Sequence, residues 1–130
     1  MSENHIRLSP HHTEHFSGGA TVVELRGEID IRTASLLAAR LDALTTGPHP
    51  DLVLDLRSVS FIDCSGLGLL CRVRNRIVAR GGRLRLVSDS PRFLRVLRCA
   101  GLAGVFEIHP ALAEAPARTP APGVVSAAAG

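Results

Sequence analysis

Asp63-Cys64-Ser65-Gly66-Leu67-Gly68 sets an acid, a thiol and a hydroxyl in consecutive positions ahead of two small residues. A serine in such a place can be a nucleophile, a helix cap or an acceptor for a phosphoryl group. The nucleophile reading fails on its neighbours. A nucleophile elbow needs G-x-S-x-G, and Asp63 stands where its first glycine should be. No lysine follows the glycines, so this is not a phosphate-cradling Walker loop either. Ser65, Asp63 and His109 have the residue types of a triad without a spacing that unites them. Nothing near Cys64 offers a base to make its thiolate, and the thiols of Cys64 and Cys71 are expected to pack as small apolar groups. No catalytic residue is assigned.

The flanking pattern gives Ser65 its place. Residues 52–56, LVLDL, are a short β-rich run that reads as a buried strand. After Ser65, Leu69, Leu70, Val73, Ile77 and Val78 recur at helical spacing, with Arg72, Arg74, Arg76 and Arg80 as the wet side. Ser65 is then expected as the N-cap of a helix that starts directly after a strand. Two readings stand. The hydroxyl satisfies orphan amides and nothing more, or it also carries a phosphate, with about −1.5 to −2 charge at pH 7. Helix amides and dipole would hold that charge locally, and Gly66 and Gly68 would leave a partner room to approach.

Other groups are weaker candidates. His11-His12-x-x-His15 could touch a metal, but three nearby histidines read more simply as a solvated loop, and no metal site is assigned. Glu28 and Asp30, after Gly27, either cap or flank the next helix as solvated carboxylates. Alternatively they share a sheet end with Ser65, because βα connections gather there.

The remaining elements follow from periodicity and punctuation. Residues 1–18 read as a flexible polar N-terminus holding four of the six histidines, with a first strand at Ile6-Arg7-Leu8 limited by Pro10. A strand over 21–27 leads to a helix capped by Thr33, with Ala34, Leu37, Leu41 and Leu44 on one face. Gly47-Pro48-His49-Pro50 stops it. The helix after Ser65 ends at Gly81-Gly82, and residues 83–87 alternate as a half-buried strand. Ser88 or Ser90 caps a third helix with Pro91 in its first turn, Gly101 ends it, and 105–108 is a last strand. The Ala/Pro-rich stretch 111–130 is expected to be disordered. The order ββαβαβαβ implies an α/β sheet, largely parallel in its second part.

Composition excludes several classes. At 130 residues the chain is one domain with enough length for a core. Trp and Tyr are absent and only four Phe occur, which removes aromatic platforms for single-stranded nucleic acid. The net charge of +3 comes from arginines spread along the chain, without a basic block for nucleic acid or anionic lipid. Cys64, Cys71 and Cys99 form no C-x-x-C pair and fit reduced thiols. The start of the chain lacks a signal-peptide pattern, and no run approaches the roughly 20 apolar residues of a membrane span. A cytoplasmic location is expected.

Gly27-Glu28-Ile29-Asp30 after a strand, then VLDLRSVSFIDCSGLGLL, GGRLRLVS and PRFLRVLRCAGL, resembles the STAS domain of bacterial anti-sigma factor antagonists. The resemblance covers residues 5–110, and D-x-S-G-L-G is its most specific part. It implies a single α/β domain with a four- to five-stranded mixed sheet and amphipathic helices packed on it. The family's phosphorylated residue directly precedes G-L-G, which here is Ser65; the hydroxyl often found one position earlier is replaced by Cys64. Asp30 and Asp63 match the acidic positions of the first loop and the motif, and with Cys64, Gly66, Leu67 and Gly68 they are the expected partner-binding residues. The implied partners are an anti-sigma factor serine kinase, which uses ATP to phosphorylate the antagonist, and a PP2C-type phosphatase that restores it. The chain is expected to be a binding module, not an enzyme, without a cofactor, and monomeric when free. The family's other implied use is as a scaffold or accessory subunit of a stress-signalling or lipid-transport complex, with no phospho-switch.

Overall fold

The computed structural model describes residues 7–8 and 11–112. Along them run β1 (Arg7–Leu8), β2 (His12–Ser17), β3 (Ala20–Ile29), α1 (Ile31–Leu44), β4 (Asp51–Ile62), α2 (Cys64–Ala79), β5 (Arg83–Val87), α3 (Pro91–Cys99) and β6 (Glu107–His109). The strands lie side by side in chain order in one mixed sheet. β1, β2 and β3 are antiparallel, whereas β3 to β6 are parallel. This is the expected α/β mixed sheet, with the two-residue β1 at one edge.

One apolar core explains why the three crossover helices share a face of the sheet. Val23 and Leu25 of β3, Leu52, Leu54 and Leu56 of β4 and Leu86 of β5 meet Leu37 and Leu41 of α1, Leu70, Val73 and Ile77 of α2, and Phe93 and Leu97 of α3. Each such side chain, fully buried, contributes on the order of 1.5–3 kcal/mol. On the other face, Ala20, Val22, Val53 and Val87 form a second cluster with Leu112 against it. β4 is therefore apolar on both faces over residues 52–54, and Asp55 beyond them is buried too, its carboxylate held by Arg57, so the run lacks a half-exposed strand's alternation.

Three elements differ from the sequence expectation. The histidine segment expected to be flexible is strand β2 over residues 12–17, paired with β3. Gly18 and Gly19, with φ of 58° and 90°, form the two-residue turn that a tight hairpin requires. β4 runs on past Leu56 to Ile62, where its half-exposed residues pair with 26–29 of β3 across two register shifts that break any alternation. The last strand is β6 at 107–109 instead of 105–108, set by pairing Arg85↔Glu107 and Val87↔His109.

The arginines of α2 are more than a wet side. Arg72 pairs with Asp42 at 2.6 Å, Arg76 Nε donates to Thr45 Oγ1 at 3.2 Å, and Arg80 Nε reaches Thr46 O at 3.4 Å. These cations lie at the C-terminal end of α1, where carbonyls are unsatisfied and positive charge is favoured. They fix α2 alongside α1. Arg85, expected on the wet face of its strand, is fully buried and ion-paired with Asp51. No helix among the described residues is long and apolar enough to cross a membrane.

Candidate functional site

Ile29 and Ile62 are register partners at the ends of the parallel strands β3 and β4. The amide of Asp63 donates to the Ile29 carbonyl at 3.3 Å, so the two strand ends stay joined to their last residue. One residue further on each strand is an aspartate, and each aspartate caps a helix. Asp30 accepts from Thr33 N at 3.1 Å. Asp63 Oδ1 accepts from Ser65 N at 2.8 Å and from Gly66 N at 3.1 Å. The Thr33 amide, with a smaller contribution from Arg32, holds the Asp30 carboxyl below the usual carboxylate range.

Of the two cap candidates the sequence offered for α1, Asp30 is the cap and Thr33 is not, and the cap of α2 moves from Ser65 to Asp63. Thr33 lies inside α1 and donates its amide to Asp30. Ser65 is the second residue of α2, and Asp63 is the cap. The cause is the length of β4: the chain leaves the sheet at Ile62 and enters the helix at Cys64, leaving only Asp63 between them. The chemistry at Ser65 changes with it. The amides expected to hold a phosphate are already given to the Asp63 carboxylate. A phosphate on Ser65 would keep the favourable helix dipole but stand next to a negative side chain.

Ser65 is half-buried at the rim of a shallow groove between α1 and α2. Ile31, Ala34 and Ala38 form the α1 wall, and Gly68, Leu69 and Arg72 the α2 wall. No described residue hydrogen-bonds its Oγ. Ile31 of the α1 wall is 67% exposed, and Leu36, 65% exposed, lies outside this groove in a second hollow with Ile31, Arg32 and Ser35. Sequence reasoning did not single out these two. Leu36 falls off the Ala34–Leu37–Leu41 stripe, and that is the signal available for it.

The expected contact residues separate. Cys64 is exposed at the first turn, not packed as a small apolar group. Gly68 is exposed, and a Cβ there would meet nothing within 4 Å. Leu67 is half-buried against the core. Gly66, expected to face a partner, is buried: a Cβ would lie 2.9 Å from the Ile29 carbonyl and closer still to Ile62 Cγ1. It is a glycine because α2 leaves the strand end too closely for a side chain.

Other polar groups are not brought here. His109 binds Glu107 at 2.8 Å on β6, two strands away from β4. His12 binds Glu14 at 2.8 Å, and Arg40 Nε holds the same carboxylate at 2.6 Å. Among the described residues no group of three His, Cys, Asp or Glu is placed to hold a metal ion.

A family model described as the STAS domain matches residues 13–115. The chain is 33% identical over 94 residues to the anti-sigma-F factor antagonist RsfA of Mycobacterium tuberculosis, covering 70% of this chain and 73% of that protein. To the anti-sigma-B factor antagonist of Bacillus subtilis it is 33% identical over 86 residues, covering 66% and 78%. The crystal structure of an anti-sigma factor antagonist from Mycobacterium paratuberculosis superposes with a TM-score of 0.67 at 27% identity, covering 88% of this chain and 93% of that one.

Proposed function

The chain belongs to the STAS-domain family, and on that premise we propose that it is an anti-sigma factor antagonist switched by phosphorylation of Ser65. Unmodified, it binds an anti-sigma factor serine kinase and so frees a sigma factor. The observation that carries this reading is the position of Ser65: a hydroxyl engaged by no described residue, at the rim of a groove whose α1 wall includes exposed Ile31. Covering Ile31 and the apolar groove walls gives a partner its driving force. Asp30 and Asp63 act by fixing the two first turns that shape the surface. Exposed Cys64 and Gly68 and half-buried Leu67 complete it, while Gly66 acts only by letting α2 start close to the strand.

The switch follows from charge. The kinase transfers the γ-phosphoryl group of ATP to Ser65 Oγ, forming an O–P bond, losing the hydroxyl proton and releasing ADP. The product adds about −1.5 to −2 charge beside Asp63, whose carboxylate already occupies the Ser65 and Gly66 amides. Burying that phosphate under an apolar partner face removes its hydration without an unused amide of that pair to replace it. The complex separates, and a PP2C-type phosphatase hydrolyses the phosphoester to restore the binding form. The protein is substrate and ligand in this cycle, not catalyst.

The test is calorimetric titration of the cognate anti-sigma kinase with Ser65→Ala and Ser65→Asp. The alanine variant binds as tightly as the unmodified protein and is not released by ATP. The aspartate variant binds at least tenfold more weakly. Equal affinities for the two would overturn the proposal.

A further inference from the structure

β4 is 12 residues long, yet β5 accompanies it only up to the pair Asp55↔Val87. The chain then leaves through Ser88-Asp89-Ser90 into α3, so no described strand lies beside residues 57–62 on that side. Their other side stays paired with 26–29 of β3. A strand held on one side and bare on the other presents a row of backbone donors and acceptors, the template to which an extended peptide adds. The Arg57 amide is turned onto Asp55 Oδ1 at 3.1 Å, which closes the start of the bare edge. Beyond it Val59, Ser60 and Phe61 bring no charge or proline to protect it, and Phe61 is 53% exposed.

α3 turns this edge into a groove. A cavity of about 110 Å³ opens between Leu56, Val59 and Phe61 of β4 and Phe93 and Val96 of α3, with Arg92 also in its lining. Small-molecule sites measure about 300–1,000 Å³, and a cavity of about 150 Å³ takes one benzene. The space therefore suits a single aliphatic side chain. Ser88, 3% exposed, also lines it: its Oγ accepts from Ser90 N at 3.3 Å, and its proton meets no acceptor among the described residues. Arg92 is exposed and has no ion-pair partner among the described residues.

We propose that residues 57–62 and the adjoining α3 cavity form a docking groove for an extended segment of a partner protein. The segment adds as a strand to β4, seats one aliphatic side chain against Phe93, and offers a carboxylate to Arg92. A bare backbone row calls for another backbone, and a one-side-chain cavity excludes a lipid chain or a cofactor. The groove shares no lining residue with the one at Ser65, and the N-terminus of α2 stands between them.

The test is an NMR titration of the ¹⁵N-labelled full chain with a capped eight-residue peptide that alternates valine and threonine around one glutamate. The same peptide, N-methylated at alternate residues in either register, is the control. Shift changes confined to residues 57–62 and 88–96 are expected, with binding weakened at least tenfold by N-methylation in one register and by Arg92→Glu. Arg92 is an exposed helical position, so a thermal melt of that variant should match the parent. No shift at millimolar peptide, equal binding of both N-methylated forms, or changes centred on Ile31 and Ser65 would overturn the proposal. None of these outcomes touches the phosphorylation of Ser65, which is read separately.

Discussion

Asp30 and Asp63 hold the same position in two successive strand-to-helix junctions. Each directly follows one member of the Ile29↔Ile62 pair. Their backbones are nearly superimposable, with φ and ψ of −102° and −169° at Asp30 and −107° and −168° at Asp63. Adjacent strands lie about 4.8 Å apart, so one pair of strand ends launches two neighbouring helices from two equivalent caps. The groove holding Ile31, Ser65 and Gly68 is the space between those first turns. Its shape depends on these caps together with the Arg72–Asp42 and Arg76–Thr45 contacts that hold α2 alongside α1.

Asp63→Asn and Asp63→Ala separate the cap from the charge. Asparagine caps helices about as well as aspartate, while alanine loses the acceptor at a cost of about 1 kcal/mol, within a range of roughly 0.5–2. Urea denaturation should place the asparagine variant near the parent and the alanine variant about 1 kcal/mol below it. If both fall equally, the charge of Asp63 matters to the fold and its role is not the cap.

Gly66 and Gly68 should answer alanine in opposite directions. At Gly66 the new methyl would meet the Ile29 carbonyl and Ile62; overpacking of this kind costs roughly 1–3 kcal/mol. At Gly68 it meets nothing within 4 Å, and alanine is the better helix former by about 0.8–1 kcal/mol. Melting temperatures that fall for Gly66→Ala and rise for Gly68→Ala would bear this out; matching shifts would contradict it.

That contrast also marks how far the sequence carries. Two glycines two apart in one motif look alike on the page, but on a helix they point about 200° apart, and only the strand end at Ile62 decides which is covered. The same strand end decides between Asp63 and Ser65, since both residue types cap helices. The core stripe Leu69, Leu70, Val73, Ile77 and the bounds of β5 were legible because one periodicity governs each, although the β5 alternation put Arg85 on the wet face and it is buried. β2 was not. Its residues carry no apolar alternation, and it is held by backbone pairing and by Glu14 reaching Arg40, 26 positions away. The Gly18-Gly19 turn was the local signal for it.

Acid should loosen β2. Burial raises the Glu14 carboxyl, but Arg40 and His12 more than reverse this, leaving it below its ordinary value of 4.5. A carboxylate depressed in the fold contributes stability that is present above the ordinary value and lost as pH falls through the folded one. Stability should therefore drop below about pH 4.5. Glu14→Gln should cost about 1.5–3 kcal/mol at neutral pH, the scale of a hydrogen bond to a charged group, and flatten the acid limb. A Gln variant with an unchanged acid limb would locate the titration elsewhere.

Gly68→Arg tests the groove by filling it. The position is exposed on the α2 wall beside Ser65 and faces open space. Arginine is a far better helix residue than glycine, by most of the roughly 0.8–1 kcal/mol that separates glycine from alanine, so thermal stability should hold or rise. A guanidinium on its long stem would occupy the space in which a partner must cover Ile31. Affinity for the anti-sigma kinase should fall at least tenfold, which corresponds to about 1.4 kcal/mol. Unchanged affinity with unchanged stability would put the partner elsewhere on the molecule. A large loss of stability would instead make Gly68 a packing position like Gly66, two residues earlier on the same helix.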